Sequence, residues 1–166
     1  AESDGFLLTG RLSLSEAGWL GDHAVFGTVL LPGTGLLELG FAAARAVGLT
    51  SVSQLTLLSP LVLPAEGGVR LQVQVDALEA GGGRALNISS RGEDAPEGSS
   101  GTLHAQGPLG EAAEATPEDN NDLAVWPPVG GEPIDLSGHY ARLAARGYGY
   151  GPLFQGVRAV WRRAGE

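Results

Sequence analysis

The stretch from Val69 to Leu78 constrains this chain more than any other. Val69, Leu71, Val73, Val75 and Ala77 alternate with Arg70, Gln72, Gln74 and Asp76. A period of two puts the apolar set on one face of a strand and the polar set on the other. Such a strand is stable only inside a sheet whose apolar face lies on another layer. The spacing from Leu36 to Val47 supplies that layer. Leu36, Leu37, Phe41 and Ala44 recur at three- and four-residue intervals, and Gly48 is a natural stop. The helix is apolar nearly all round, which predicts burial. Gly40 inside it costs about 1 kcal/mol relative to Ala, so it marks close packing against the sheet.

Other elements read less sharply. Phe6 to Leu14 reads as a first strand, and Trp19 to His23 as a loop. Ala24 to Leu31 is an apolar stretch too short for a globular helix. Val52 to Leu63 is a long apolar run, bent or at an edge at Pro60. Ala85 to Arg91 and Thr102 to Gln106 read as short strands, with Gly81 to Gly83 a turn. Asp135, or Ser137, starts a second short helix through Arg146, with Tyr140, Leu143 and Ala144 as its stripe. Phe154 to Arg163 opens another strand. One buried helix followed by antiparallel strands is an α+β arrangement, a sheet wrapped on a helix.

Composition excludes several functions. The 166 residues contain no cysteine, which removes disulfides, zinc–thiolate sites and Cys nucleophiles and is compatible with the cytoplasm. No apolar run approaches the roughly 20 residues needed to span a bilayer, and the first residues lack the pattern of a signal peptide. The net charge of −9 is concentrated: ten acidic residues and no Arg or Lys lie between Gly92 and Asp135. That argues against nucleic acid as a partner, which calls for a basic face. Pro108 to Pro133 is rich in Pro, Gly and acidic residues and reads as a linker, with Trp126-Pro127-Pro128 its one adhesive spot.

Of the three histidines, His104 on a short strand and His139 on a polar-faced helix are expected to be exposed and structural. His23 precedes a short apolar strand and then Pro32-Gly33 at a helix start. A lone histidine in such a place is more often structural than catalytic. Asp22 beside it is a candidate orienting carboxylate, although an exposed loop acid is the commoner outcome.

Two motifs change this estimate. His23, Gly27 and Pro32 form HxxxGxxxxP, and Gly147 to Gly156 reads GYGYGPLFQG. Both resemble the motifs of the dehydratase domains of polyketide and fatty-acid synthases, in the same order, and Pro60 to Pro64 (PLVLP) is similar to the family as well. The resemblance covers essentially the whole chain. It implies a double hot dog, each half an antiparallel sheet wrapped around a central helix. Residues 1–107 would be the first hot dog, 108–133 the acidic linker and 134–166 the start of a truncated second. The family's catalytic Asp lies in the second half, and no match for its motif follows GYGYGPLFQG. The acid is therefore expected beyond residue 166, and the C-terminal half of the domain is an expected partner.

The implied reaction is elimination of water from a β-hydroxyacyl thioester. The substrate is carried on the phosphopantetheine of an acyl carrier protein, with no cofactor bound directly. His23 would be the base, since imidazole is both neutral and basic near neutral pH. Val25, Phe26 and Leu31 would wall it with apolar surface that favours the neutral form. The Gly33 N–H, after Pro32 at a helix N-terminus, would meet the developing oxyanion. Tyr150, more than Tyr148, would orient the missing acid. Pro152, Phe154 and Gln155 would support the site or line its tunnel. Other synthase domains in the same polypeptide are implied partners, and a homodimer is plausible on the same ground. Alternatives are a dehydratase-like cyclase, epimerase or isomerase, an inactive structural or carrier-docking module, and a single-hot-dog thioesterase. The GYGYGP motif after a linker argues against the last.

Overall fold

The computed structural model describes residues 4–78, 83–96, 98–111 and 125–163. The elements follow in chain order. β1 (Phe6–Leu12) leads through a 3-10 turn at Gly18–Asp22 into the short pair β2 (His23–Val25) and β3 (Thr28–Val29). Then come α1 (Gly33–Ala46), β4 (Ser51–Val52), β5 (Thr56–Leu57), β6 (Val69–Val75), β7 (Arg84–Gly92) and β8 (Thr102–Gly110). The remainder holds β9 (Glu132–Pro133), α2 (His139–Ala145), β10 (Tyr148–Tyr150), a 3-10 turn at Pro152–Phe154 and β11 (Trp161–Arg162).

The main sheet is antiparallel, in the order β1-β6-β7-β8-β4, with β5 also paired to β8. Its alternation is the one expected for β6: Val69, Leu71, Val73 and Val75 are buried while Arg70, Gln72 and Gln74 are exposed. Each buried aliphatic side chain contributes about 1.5–3 kcal/mol, which outweighs weak local preferences. Leu86 and Ile88 of β7 and Ala105 and Leu109 of β8 continue the same inner face. α1 lies against it, packed on β4, β6, β7 and β8. An antiparallel sheet curled on one helix is the hot dog arrangement.

α1 buries one face rather than its whole circumference. Leu36, Gly40, Ala43 and Ala44 are buried, at helical spacing. Glu38 and Arg45 face solvent and form an ion pair at 3.0 Å. Gly40 is needed where it stands: a Cβ there would come within 3.3 Å of both Leu86 and Val52. The helix ends at Gly48, whose φ of +75° is the left-handed conformation that favours glycine. The Leu49 N–H donates to the Ala44 carbonyl (2.9 Å) and the Gly48 N–H to that of Arg45 (3.2 Å), a Schellman closure.

Several elements depart from the sequence pattern. The run from Val52 to Leu63 is no single strand. It breaks into β4 and β5, and beyond them only Val62 pairs, with Leu30. β8 runs on to Gly110, past the expected end at Gln106 and into the stretch read as linker from Pro108. Gly107 is required because the Gln54 carbonyl packs where its Cβ would be. α2 begins at His139, not Asp135 or Ser137. The Asp135 carboxylate instead accepts the Ser137 N–H at 2.8 Å, and Gly138 at φ +68° delays the helix. Hydrogen bonding from the Ser137 hydroxyl and then its amide holds the Asp135 carboxyl below its ordinary value. The α2 stripe is only half-covered; Tyr140 is tied down by its hydroxyl, which accepts the Val157 N–H at 2.9 Å. After Phe154 only Trp161–Arg162 is strand, paired with Glu132–Pro133. Trp126 docks edge-on against Trp161 at 4.9 Å between ring centroids. Gly81 and Gly82 lie outside the described residues, as do residue 97 and residues 112–124 of the acidic stretch.

Candidate active site

The two motifs meet in a small second sheet, β10-β2-β3. Ala24 pairs with Val29 and Val25 with Thr28, so Phe26 and Gly27 form a two-residue hairpin loop. Both have positive φ, +48° and +76°, the primed turn that fits the twist of a hairpin. Gly27 thus serves the backbone of this turn. Phe26 lies at its tip, 80% exposed, over Gly147, and does not line the cleft beside His23 as expected. Its N–H donates to the Gly147 carbonyl at 2.6 Å.

β10 adds to the other edge of β2, and its register sets Tyr150 directly opposite His23 and Tyr148 opposite Val25. The Tyr150 ring stacks on the imidazole at 5.5 Å between centroids, inclined by 22°. Phe154 packs on it at 5.0 Å, tilted by 51°. His23 is half-buried, and its Nδ1 lies 2.9 Å from the Leu30 carbonyl oxygen. A carbonyl can only accept, so Nδ1 carries the proton and donates. The neutral ring then has its lone pair on Nε2.

His23 opens on a cleft of about 350 Å³ bounded by Leu30, Leu31, Gly33 and Leu36 on one side and by Leu57 to Leu61 on the other. Gly33 is the first residue of α1, where amides have no intrahelical acceptor. Pro32, buried, is the N-cap, with φ −58° and ψ 147°. The cleft thus holds an imidazole and a helix N-terminus between aliphatic walls. Leu31 also lines a second, more apolar hollow of about 380 Å³, to which Trp19, Pro32 and Phe154 contribute.

Asp22 neither orients His23 nor stands exposed in a loop. It is half-buried, and its Oδ2 accepts the Leu153 N–H at 3.0 Å while its backbone carbonyl accepts that of Gly151 at 2.8 Å. A Cβ at Gly151 would collide with the carboxylate. Asp22 therefore clamps the GYGYGPLFQG loop against the His23 turn. Pro152 starts the 3-10 turn that presents Phe154, and Gln155 closes it by donating from Nε2 to the Tyr150 carbonyl at 2.7 Å.

His104 is buried, not exposed, and lies outside the cleft. A bulge explains it. Ile88 faces Ala105, but Ser89 faces Leu103, so His104 is the extra residue and both it and Ala105 turn inward. His139 stands on the first turn of α2, edge-on to Tyr140. Among the described residues no three His, Cys, Asp or Glu side chains gather as a metal site, and no helix is long and apolar enough to cross a membrane.

The fold and this site define a hot dog protein with a histidine facing a helix N-terminus across an apolar cleft. Residues 1–91 match the family described as polyketide synthase dehydratase domain, and residues 118–166 match the polyketide synthase dehydratase N-terminal domain. The chain is 54% identical over its whole length to the pikromycin polyketide synthase component PikAII of Streptomyces venezuelae, of which it covers 4%. The dehydratase domain from the terminal module of the rifamycin polyketide synthase superposes with a TM-score of 0.90 at 44% identity. That match covers 98% of this chain and 58% of the solved one. The bifunctional dehydratase–cyclase domain of ambruticin biosynthesis gives 0.83 at 48% identity, over 98% of this chain and 54% of that one. The chain belongs to the polyketide synthase dehydratase domain family. It is an N-terminal portion of such a domain, spanning somewhat over half of the solved domains and a small fraction of the curated synthase.

Proposed function

We propose that this chain supplies the basic half of a dehydratase centre. Its product would be the α,β-unsaturated thioester formed from a β-hydroxyacyl group on the phosphopantetheine arm of an acyl carrier protein. The observation that carries the reading is the His23 geometry: Nδ1 bonded to the Leu30 carbonyl and the ring opening on the cleft that Gly33 borders. Nε2 takes the α proton. The thioester oxygen gains negative charge as it leaves and is met by the Gly33 N–H, where the helix dipole is positive. The β-hydroxyl departs as water after protonation by an acid supplied from beyond this chain, which Tyr150 orients. Positioned general-base catalysis typically gives about 10²–10⁴-fold.

The organisation follows the same reading. Residues 1–107 form the first hot dog, whose last strand β8 runs on to Gly110, residues 108–133 the acidic linker and 134–166 the opening of the second. Carrier protein, other synthase domains in the same polypeptide, the rest of the dehydratase domain and a second copy of it are its partners. No cofactor is bound directly. A cytoplasmic setting belongs to the reading, with which a chain lacking cysteine is compatible.

A second reading, a dehydratase that also closes a ring, is favoured by the similarity to the ambruticin dehydratase–cyclase domain. One experiment tests both. The full-length protein is incubated with a β-hydroxyacyl carrier protein bearing a distal hydroxyl, and products are followed by mass spectrometry and chromatography. Loss of water to a linear enoyl product supports the dehydratase, and loss of water followed by an isomeric cyclic product supports the second reading. No water loss from either hydroxyl stereoisomer, with the protein folded, overturns both.

A further inference from the structure

One wall of the cleft is held in place by a residue outside it. The wall runs from Leu57 to Leu61. Its upstream end is anchored where Leu57 pairs with Ala105 of β8, and its downstream end where the Leu31 N–H donates to the Leu61 carbonyl at 2.9 Å. Between them the ladder lapses, because Pro60 has no N–H to donate. His104 spans that gap. Its backbone carbonyl accepts the Leu58 N–H at 2.8 Å and the Ser59 N–H at 3.4 Å. Its Nδ1 lies 3.1 Å from the Ser59 carbonyl oxygen, and its Nε2 2.8 Å from the Ser90 hydroxyl.

The chemistry of these partners assigns each proton. The Ser59 carbonyl can only accept, so Nδ1 donates; Nε2 then accepts from the Ser90 hydroxyl. Both ring nitrogens of a residue only 3% exposed are thus satisfied in a single tautomer. The bulge in β8 is what turns the ring inward, and a strand without it would point His104 to the outer face. Across the cleft, a Cβ on Gly33 would come within 3.2 Å of Leu57. The width of the passage beside the Gly33 amide therefore depends on where the wall sits.

We propose that His104 is a positioning residue for the reaction: it fixes the Leu57–Leu61 wall and thereby the fit of the thioester between His23 and Gly33. The proposal rests on the dehydratase reading above. It makes the two ring nitrogens unequal. Nδ1 acts on the wall, whereas Nε2 only braces the ring against β7.

Two near-isosteric variants separate them in the full-length protein. His104→Asn keeps a donor near the Nδ1 position and gives up the Ser90 contact. His104→Gln keeps a group near Nε2 and gives up the bond to Ser59. Expected for His104→Gln is an about ten- to hundredfold fall in kcat/KM, carried mainly by KM, with faster amide exchange at Leu58 and Ser59. His104→Asn and Ser90→Ala should stay nearer the parent in both readouts. If Gln and Asn variants lose stability alike while kcat/KM of the folded protein is unchanged, the role is purely structural and the proposal is overturned. Should His104 variants fold poorly, Ser90→Ala still tests the inequality of the two nitrogens: fast Leu58 and Ser59 exchange in that variant overturns it. Amide exchange does not require turnover. If the parent fails to dehydrate, the functional reading falls, while the exchange contrast still shows whether Nδ1 holds the wall.

Discussion

All the buried side chains of the described chain, from Ser13 to Leu109, lie in the region from β1 to β8, whereas residues 125–163 contain none. The first region is a sheet closed on a helix. The second is a sequence of short elements attached to it at few points: β10 on β2, the Asp22 clamp on Gly151 and Leu153, and Trp19 over Phe154 at 6.3 Å. Yet the second region brings Tyr150 and Phe154 onto His23. Stability and chemistry are therefore separable here. The core sets whether the chain folds, and the seam sets what the histidine meets.

The contrast can be broken most severely at the seam. His23→Ala in the full-length protein should lower the rate of water loss by about 10²–10⁴-fold, with a melting temperature close to the parent's. A large loss of stability instead would show that the histidine is structural. Next in size is the core. Ile88, fully buried, should cost about 2–5 kcal/mol on replacement by Ala. Leu153, 67% exposed in the second region, should cost no more than about 0.5 kcal/mol. Equal costs in denaturant titrations would erase the distinction between the regions.

Asp22→Ala sharpens the comparison, since it removes the carboxylate acceptor of the clamp and leaves the core intact. Activity should fall about tenfold while the unfolding midpoint moves less than for Ile88→Ala. Gly151→Ala should resemble it, because the added methyl group meets the Asp22 carboxylate. The smallest effect is on the outer face of the sheet. Hydrogen bonds from the Arg11 guanidinium to Glu93, at 2.7 and 2.9 Å, hold the Glu93 carboxyl below its ordinary value. A lowered carboxylate contributes stability that is fully present above its unfolded value and is lost as pH falls through the folded one. The parent should thus lose a little melting temperature in the acid range below ordinary carboxylate values. Glu93→Gln should lack that increment, and added salt should shrink it.

Both chemical motifs were legible because their residues and spacing match those of a known family, and part of each is local backbone behaviour: Pro32 caps a helix and Gly27 completes a turn. The alternation of β6 and the spacing of α1 were legible for a related reason: a period of two or of about 3.6 is a property of one element alone. Reading failed where a neighbour decided. Gly107 and Pro108 looked like an end until Gln54 was packed on them. Asp135 looked like a helix cap, but it closes a turn on Ser137 instead.

By itself, then, the sequence determined an antiparallel sheet on one helix and a histidine at fixed distance from a Pro-Gly helix start, since periodicity and covalent spacing suffice for both. Only the tertiary structure decided that Tyr150 lies opposite His23, that Asp22 grips the distant glycine loop, and that a one-residue bulge turns His104 into the core. Each depends on the register between strands remote in sequence. A shift of one residue reverses the face on which a side chain lies, and no local pattern encodes that choice.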